Sequence, residues 1–392
     1  MNIQILRLFL FVNLVSFIAN ISIVAQINSR TIVKGKVLDA KTNQPLQGVN
    51  VSILGTLKGA ATNLNGDFII KNVPNNSFYV VISYVGYETQ KHLLRKLNGN
   101  TIKKVFALNE KIFKLDEITV NEKNDKEWKR SFKIFKKQFI GILNNSIFTN
   151  IVNPYIINFA NSDDGWLEAT SDEPIEIIND ILGYKVIYYL DVFRHKYITT
   201  QYSGQPFFEE IKPTLSQPQN GIEEARVEAY CGSLRHFLYA ATKQFNNEEL
   251  FFLEEQGFKV YTTNLNPNPN KQNIKPISYL VNMNKFFSKG ANDFELVLEF
   301  PNYLKIVYNR EKEDPKYIEV TTGDRNDFSP TLQTSWINLP SGSTLLDNTG
   351  YYLNSFNIQA FGYWSYELLS SMLPYEYSLP DSILENYSLD DF

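Results

Sequence analysis

The sequence predicts a multi-domain chain: an all-β sandwich near the N-terminus, then a larger α+β region with mostly antiparallel strands. Three observations carry this. Residues 32–87 alternate apolar and polar side chains between turn residues. Beyond residue 126, segments of period two mix with segments of helical period. The single cysteine, Cys231, can form no internal disulfide, so stability must come from apolar cores, and 43% hydrophobic residues supply the material.

The sandwich strands come first. In Ile32–Asp39, Val33 and Val37 point one way while Lys34 and Lys36 point the other; Val49, Val51 and Ile53 alternate with Asn50 and Ser52 in the same manner. Asn65-Gly66 supplies a tight turn before Asp67-Phe68, because glycine tolerates positive φ. Ser83-Tyr84-Val85-Gly86-Tyr87 closes the pattern.

These residues resemble the carboxypeptidase regulatory-like domain, a small prealbumin-like (Ig-like) β-sandwich common in cell-envelope proteins of Bacteroidota. The resemblance is carried by Gly35, Val37, Asp39, Thr42, Pro45, Leu46, Gly48, Val49 and Val51, then Thr62, Gly66 and Phe68, then Ser83 through Tyr87. Asn63 stands where the family usually has aspartate; either side chain can hydrogen-bond back to the turn backbone.

Residues 1–25 carry no acidic group and one cation, Arg7, and Leu8 to Val24 are almost wholly apolar. This is a secretory signal pattern with a cut expected at Ala25 and Gln26. A retained anchor helix is the competing reading. Without Arg7 the chain holds 37 Lys and Arg against 42 Asp and Glu, a net charge of −5. A mildly acidic chain without a basic patch argues against nucleic acid as partner. The expected division is 1–25 signal, 28–110 sandwich, 111–125 linker and 126–385 α+β domain.

Lys114–Val120 looks like the segment that follows such sandwiches in TonB-dependent outer-membrane receptors. The 272 residues after Val120 are too few for their barrel, since about 22 strands of about 10 residues plus turns need roughly twice that. Residues 122–127 read as a polar linker, and 126–141 as a helix. Trp128, Phe132, Phe135 and Phe139 form one apolar stripe, with Lys129, Arg130, Lys133, Lys136 and Lys137 on the other face. Such a helix either packs on a core with its lysines solvated or touches an anionic membrane surface.

Further on, 185–192 reads as a strand, 195–201 and 205–211 as a hairpin about Ser203-Gly204, and 293–300 with 303–309 as a hairpin turned at Pro301-Asn302. Residues 318–322 and 334–339 are further strand candidates. Helices are expected at 221–244, broken near Gly232, at 247–256 with Gly257 as the left-handed stop, and at 363–372 before Pro374. Residues 266–270 read as an exposed loop. Pro174-Ile175, Leu182–Lys185, Tyr230, Gly232–Leu238, Gly257-Phe258 and Gly362–Trp364 resemble a Bacteroidota domain of unknown function that often follows the sandwich.

A zinc carboxypeptidase needs a His-x-x-Glu pair and a distant histidine. Three residues after His92, His195 and His236 stand Arg95, Ile198 and Tyr239, none a carboxylate. Cys231 and His236, five apart on a helix, point in divergent directions and make a poor nucleophile–base pair. Gly-x-Ser-x-Gly, Walker and dinucleotide loops are absent. Acid pairs such as Glu248-Glu249 and Glu254-Glu255 read as a solvated helix face, and Asp163-Asp164-Gly165 as a turn. Trp166, Trp336, Tyr351, Tyr352, Tyr363 and Trp364 stand near loops or strand ends, where aromatic platforms suit sugars or proteins.

The sequence therefore reads as an exported, non-catalytic envelope protein with no expected catalytic residue, cofactor or metal. It would bind or scaffold a protein or glycan partner, with peripheral membrane contact through the basic helix at 126–141. The rivals are a carbohydrate-binding module, with Phe78, Tyr79, Tyr84 and Tyr87 as candidate rings, and an envelope hydrolase whose catalytic acids are unidentified.

Overall fold

Val33, Val37, Val49, Val51 and Ile53 are all fully buried, as the period-two pattern requires, and Lys34 is exposed. They form the centre of a two-layered sandwich in the computed structural model, which describes residues 31–74, 77–95, 101–111, 122–197, 199–212, 219–264, 278–292, 294–322 and 331–379. The expected cut at Ala25 and Gln26, the segment Lys114–Val120 and the loop 266–270 lie outside the described residues.

One layer has the order β4 (Asp67–Val73), β1 (Thr31–Asp39), β7 (Thr101–Leu108); β1 runs antiparallel to β4 and parallel to β7. The other has the order β3 (Gly59–Ala61), β2 (Asn50–Ile53), β5 (Phe78–Ser83), β6 (Gln90–Leu94). Gly35 lets β7 come close: a Cβ there would lie 1.8 Å from the Lys104 carbonyl oxygen. The turn before β4 forms as expected. Gly66 has φ +74°, and the Asn63 side chain accepts from the Asn65 and Asp67 amides, each at 2.9 Å.

The larger domain is built on a six-stranded sheet. Its order is β8 (Thr149–Ile151), β11 (Ile175–Asn179), β12 (Tyr184–Lys196), β10 (Leu167–Ser171), β9 (Ile157–Asn161), and β13 (Thr199–Glu210) runs along the other side of β12. A five-stranded sheet follows, ordered β15 (Ser278–Leu280), β14 (Phe258–Thr263), β18 (Tyr303–Lys312), β19 (Leu332–Asn338), β21 (Gln359–Gly362). The third sheet is β16 (Phe287–Lys289), β17 (Glu295–Glu299), β20 (Ser343–Asp347). Helix α1 (Glu122–Ile140) packs Phe135 and Phe139 into the same core as Tyr188, Phe237, Leu304 and Ile337. Helices α2 (Gln219–Tyr230) and α3 (Leu234–Asn246) flank Gly232, whose φ of +71° breaks them apart as predicted.

Several expectations are corrected. The stretch 122–127 is the start of α1 and not a linker. The hairpin turn lies at Tyr197 (φ 55°), between β12 and β13, and Ser203-Gly204 sits inside β13 opposite a bulge at Asp191. Gly204 is there for packing: a Cβ would lie 2.4 Å from the Tyr188 ring and 2.5 Å from the Tyr189 carbonyl oxygen. Strands β17 and β18 do turn at Pro301-Asn302, yet they join different sheets and do not pair. Residues 318–322 belong to a helix, α5 (Pro315–Thr322), because Asp314 accepts from the Lys316 amide at 2.6 Å and Tyr317 and Ile318 enter a small core with Tyr363. The helix expected at 247–256 shortens to α4 (Phe252–Glu255), since Glu248 takes φ 56°. Residues 363–372 form two short 3₁₀ turns, Tyr363–Ser365 and Leu369–Ser371, in place of a helix. There Trp364 donates from its amide to the Ser335 hydroxyl (3.1 Å) and from its indole to the Gly232 carbonyl (2.7 Å), which fixes the backbone outside helical register.

The sandwich is bonded to the larger domain. The outer side of its four-stranded layer places Leu54 and Val81 against Phe207, with Tyr79, Ile187 and Tyr189 around them. The loop after β2 continues the β13 edge: the Gly55 amide donates to Pro206 O (2.5 Å) and the Phe208 amide to Thr56 O (3.0 Å). The Tyr375 amide donates to Gly55 O at 2.7 Å, and Glu376 accepts from the Leu57 amide and pairs with Lys58 at 3.6 Å. The bulge residue Asp191 pairs with Lys91 at 2.6 Å.

Candidate functional site

With the four-stranded layer covered, the sandwich offers the outer face of β4-β1-β7. Register brings Lys34 between Ile69 and Lys103, and Lys36 between Asp67 and Val105. Ile69 and Val105 are 55% and 67% exposed. Lys36 pairs with Asp67 at 3.4 Å. Among the described residues β4 and β7 each pair with β1 alone, so each has one unpaired edge. The β4 edge opens onto a groove of about 570 Å³ lined by Leu57, Lys58, Gly59, Ile69, Ile70 and Lys71. A row of unpaired peptide groups beside a groove can accept an added strand.

Within the sandwich, Asp39 organises the turn after β1. Its carboxylate accepts from the Lys41 amide (2.9 Å), the Thr42 amide (2.7 Å), the Thr42 hydroxyl (2.9 Å) and the Tyr87 hydroxyl (2.8 Å). These donors, the Thr42 amide first, hold the carboxyl down to about 2, and the same bond pushes the Tyr87 phenol up to about 12. This motif thus shapes the loops and is not a reactive centre.

The three histidines tested for chemistry fall apart in space. His92 is on β6, His195 on β12 and His236 on α3. Buried His236 accepts from the Gly232 amide at Nδ1 (3.2 Å) and so donates from Nε2 to Gln256 (3.3 Å); burial holds its ring down to about 4. Cys231 is buried in the core. Among the described residues no three His, Cys, Asp or Glu side chains converge on a metal position. Asp163-Asp164-Gly165 is a turn, with Gly165 at φ +83°.

Of the candidate sugar-facing rings, Phe78 is buried and Tyr79 belongs to the contact with the larger domain. Tyr84 and Tyr87 pair at 5.5 Å and pack, half-buried, on the sandwich core. Tyr363 and Trp364 are buried, and Tyr351 stands against Gly55 and Gln205. Trp166 remains half-exposed under Arg194 and Lys196. Sequence reasoning missed Glu367, a carboxyl that burial, then the charge of Glu311, raises to about 8. Nothing in its local sequence marks it.

The geometry defines a β-sandwich module fixed to a larger domain of mostly antiparallel sheets. Residues 33–120 match the family model of the CarboxypepD_reg-like domain. No curated protein matches the chain. Among solved structures, it is similar to a type II cohesin–X-dockerin complex from Acetivibrio cellulolyticus (23% identity over 26% of this chain and 73% of that one, TM-score 0.19). It is also similar to a DUF3823 family protein from Bacteroides ovatus (11% identity, 48% and 77%, TM-score 0.18) and to the major pilin subunit of Bacillus cereus (10%, 21% and 30%, TM-score 0.19). At such TM-scores none of them bears on function.

Proposed function

We propose that this is an exported, non-catalytic cell-envelope protein that binds a partner protein through its regulatory-like sandwich. The observation that carries the reading is the β4 edge, unpaired among the described residues, with the groove beside it. One layer of the sandwich is committed to the larger domain, and the other keeps an edge and two exposed aliphatic side chains beside a groove that residues of both layers line. The reading divides the chain at 28–110 and 126–385, with the second part akin to the domain of unknown function that follows such sandwiches in Bacteroidota. The signal-like N-terminus supports export. Pull-down from envelope fractions tests the proposal: a protein retained by the wild-type chain should be lost with Ile69→Glu and kept with Leu345→Glu, a control exposed on another sheet. Equal retention by both variants sinks it.

A hydrolase acting on glycan has one observation in its favour: burial, then the charge of Glu311, raises the Glu367 carboxyl to about 8, so it keeps a proton at neutral pH as a general acid must. Envelope glycan turnover that disappears in Glu367→Gln would establish that reading in place of the first.

A further inference from the structure

The lysines of α1 are not absorbed by the binding edge. The stripe Trp128, Phe132, Phe135, Phe139 faces the core, with Phe135 and Phe139 fully buried, so this helix cannot lay its apolar side into a bilayer. Its opposite side is solvated: Lys129, Arg130, Lys133 and Lys137 are exposed. Lys133, Lys136, Lys137 and Lys316 line a cleft of about 320 Å³ together with Gly141 and Ser146. None of these four lysines has an ion pair among the described residues. Glu176, on β11, pairs with Lys185 at 2.9 Å. Asp314 is engaged at the start of α5.

The chain then doubles back along this helix. Ser146 lies at the cleft, Asn150 accepts from Lys136 at 3.3 Å, and Tyr155 stacks on Trp128 at 5.0 Å. Trp128 also donates from its indole to Ile157 O at 2.9 Å, which pins the return segment. Along that segment Ile147, Val152 and Tyr155 are 67%, 56% and 78% exposed. Two exposed aliphatic side chains and a tyrosine thus lie on the segment that returns beside four lysines without an ion pair among the described residues, on a chain whose net charge is negative.

We propose that this face docks on an anionic lipid bilayer. The lysines meet headgroup phosphates, Ile147 and Val152 enter the acyl boundary, and Tyr155 sits at the headgroup level, where amphipathic rings are favoured. Cation clusters of this kind gain roughly fivefold in partition per lysine near a negative surface, and salt weakens them. The β4 edge plays no part, so the two proposals fail independently.

Sedimentation of the full chain with vesicles tests it. Phosphatidylglycerol-containing vesicles should retain the protein better than pure phosphatidylcholine, and raised salt should release it. The variant Lys133→Glu/Lys136→Glu/Lys137→Glu should lose at least about 100-fold in partition. Ile147→Ser/Tyr155→Ser should lose a further part that salt does not mimic. Unchanged circular dichroism for both variants assures that they fold. Equal binding to both vesicle types overturns the proposal, as the apolar run 8–24 alone would give that result. So does full binding by the charge-reversed variant, or displacement of the protein from vesicles by millimolar inorganic phosphate at constant ionic strength.

Discussion

Asp39 shows how one side chain can hold a loop. Its folded carboxyl titrates near 2, below the ordinary value of about 3.9, so its stabilising effect is complete above that pH and is lost as pH falls toward 2. Tyr87→Phe removes one of its donors. The expected outcome is an Asp39 pKa moved up toward the ordinary range in a carboxyl NMR titration, and acid unfolding that begins at higher pH than in the wild type. Glu367 and His236 form an opposed couple. Glu367, held near 8, keeps a proton that the unfolded chain releases above about 4.3, so it costs stability as pH rises. His236, held near 4, refuses a proton that the unfolded chain takes below about 6.5, so it costs stability as pH falls, by up to about 1.4 kcal/mol per unit. Their effects offset each other between about 4.3 and 6.5. Glu367→Gln should stabilise the protein at pH 8 and steepen its loss of stability below pH 6.5, read by urea unfolding. A pH profile parallel to the wild type would refute the assignment.

The β12–β13 ribbon is where an element's shape depends on absent atoms. Gly204 faces the Tyr188 ring, and the bulge beside it turns Asp191 toward Lys91 of the sandwich. Gly204→Ala is expected to cost about 1–3 kcal/mol by overpacking and to weaken the Lys91–Asp191 contact, because the ribbon must open to admit the methyl group. Thermal unfolding measures the first effect and the Asp191 chemical shift the second. Gly35 has the same role in the sandwich, where Lys104 approaches its Cα across the parallel β1–β7 pair. Gly35→Ala should therefore separate β7 and fail to fold stably, while Lys34→Ala on the neighbouring exposed position should be neutral.

Across the whole chain, the contact around Val81, Leu54 and Phe207 joins the sandwich to the larger domain. Val81 is 1% exposed, and Val81→Asp would bury a charge with no partner, at a cost of several kcal/mol. Calorimetry of the wild type is expected to show a single transition and of this variant two, since each part keeps its own core. One unsplit transition in the variant would show that the parts do not fold as separate units.

The sandwich was legible because its signals are local. A period of two and an Asn-Gly turn are each decided within a few residues, by side-chain direction and by φ. The paired helices about Gly232 and the apolar stripe of α1 were readable for the same reason. Local sequence could not tell that β17 and β18 enter different sheets, since a Pro-Asn turn serves a hairpin and a sheet switch equally. It misread 318–322, where β-branched residues suit a strand, because the Asp314 cap and the Tyr317–Tyr363 contact outweigh propensity. It misread 363–372, because hydrogen bonds to Ser335 and Gly232 arrive from far along the chain. The sequence by itself determined the β-sandwich and the polarity of α1. Only the tertiary structure decided which sheet face stays open and which lysines share a cleft, because pairing, coverage and burial depend on residues hundreds of positions apart.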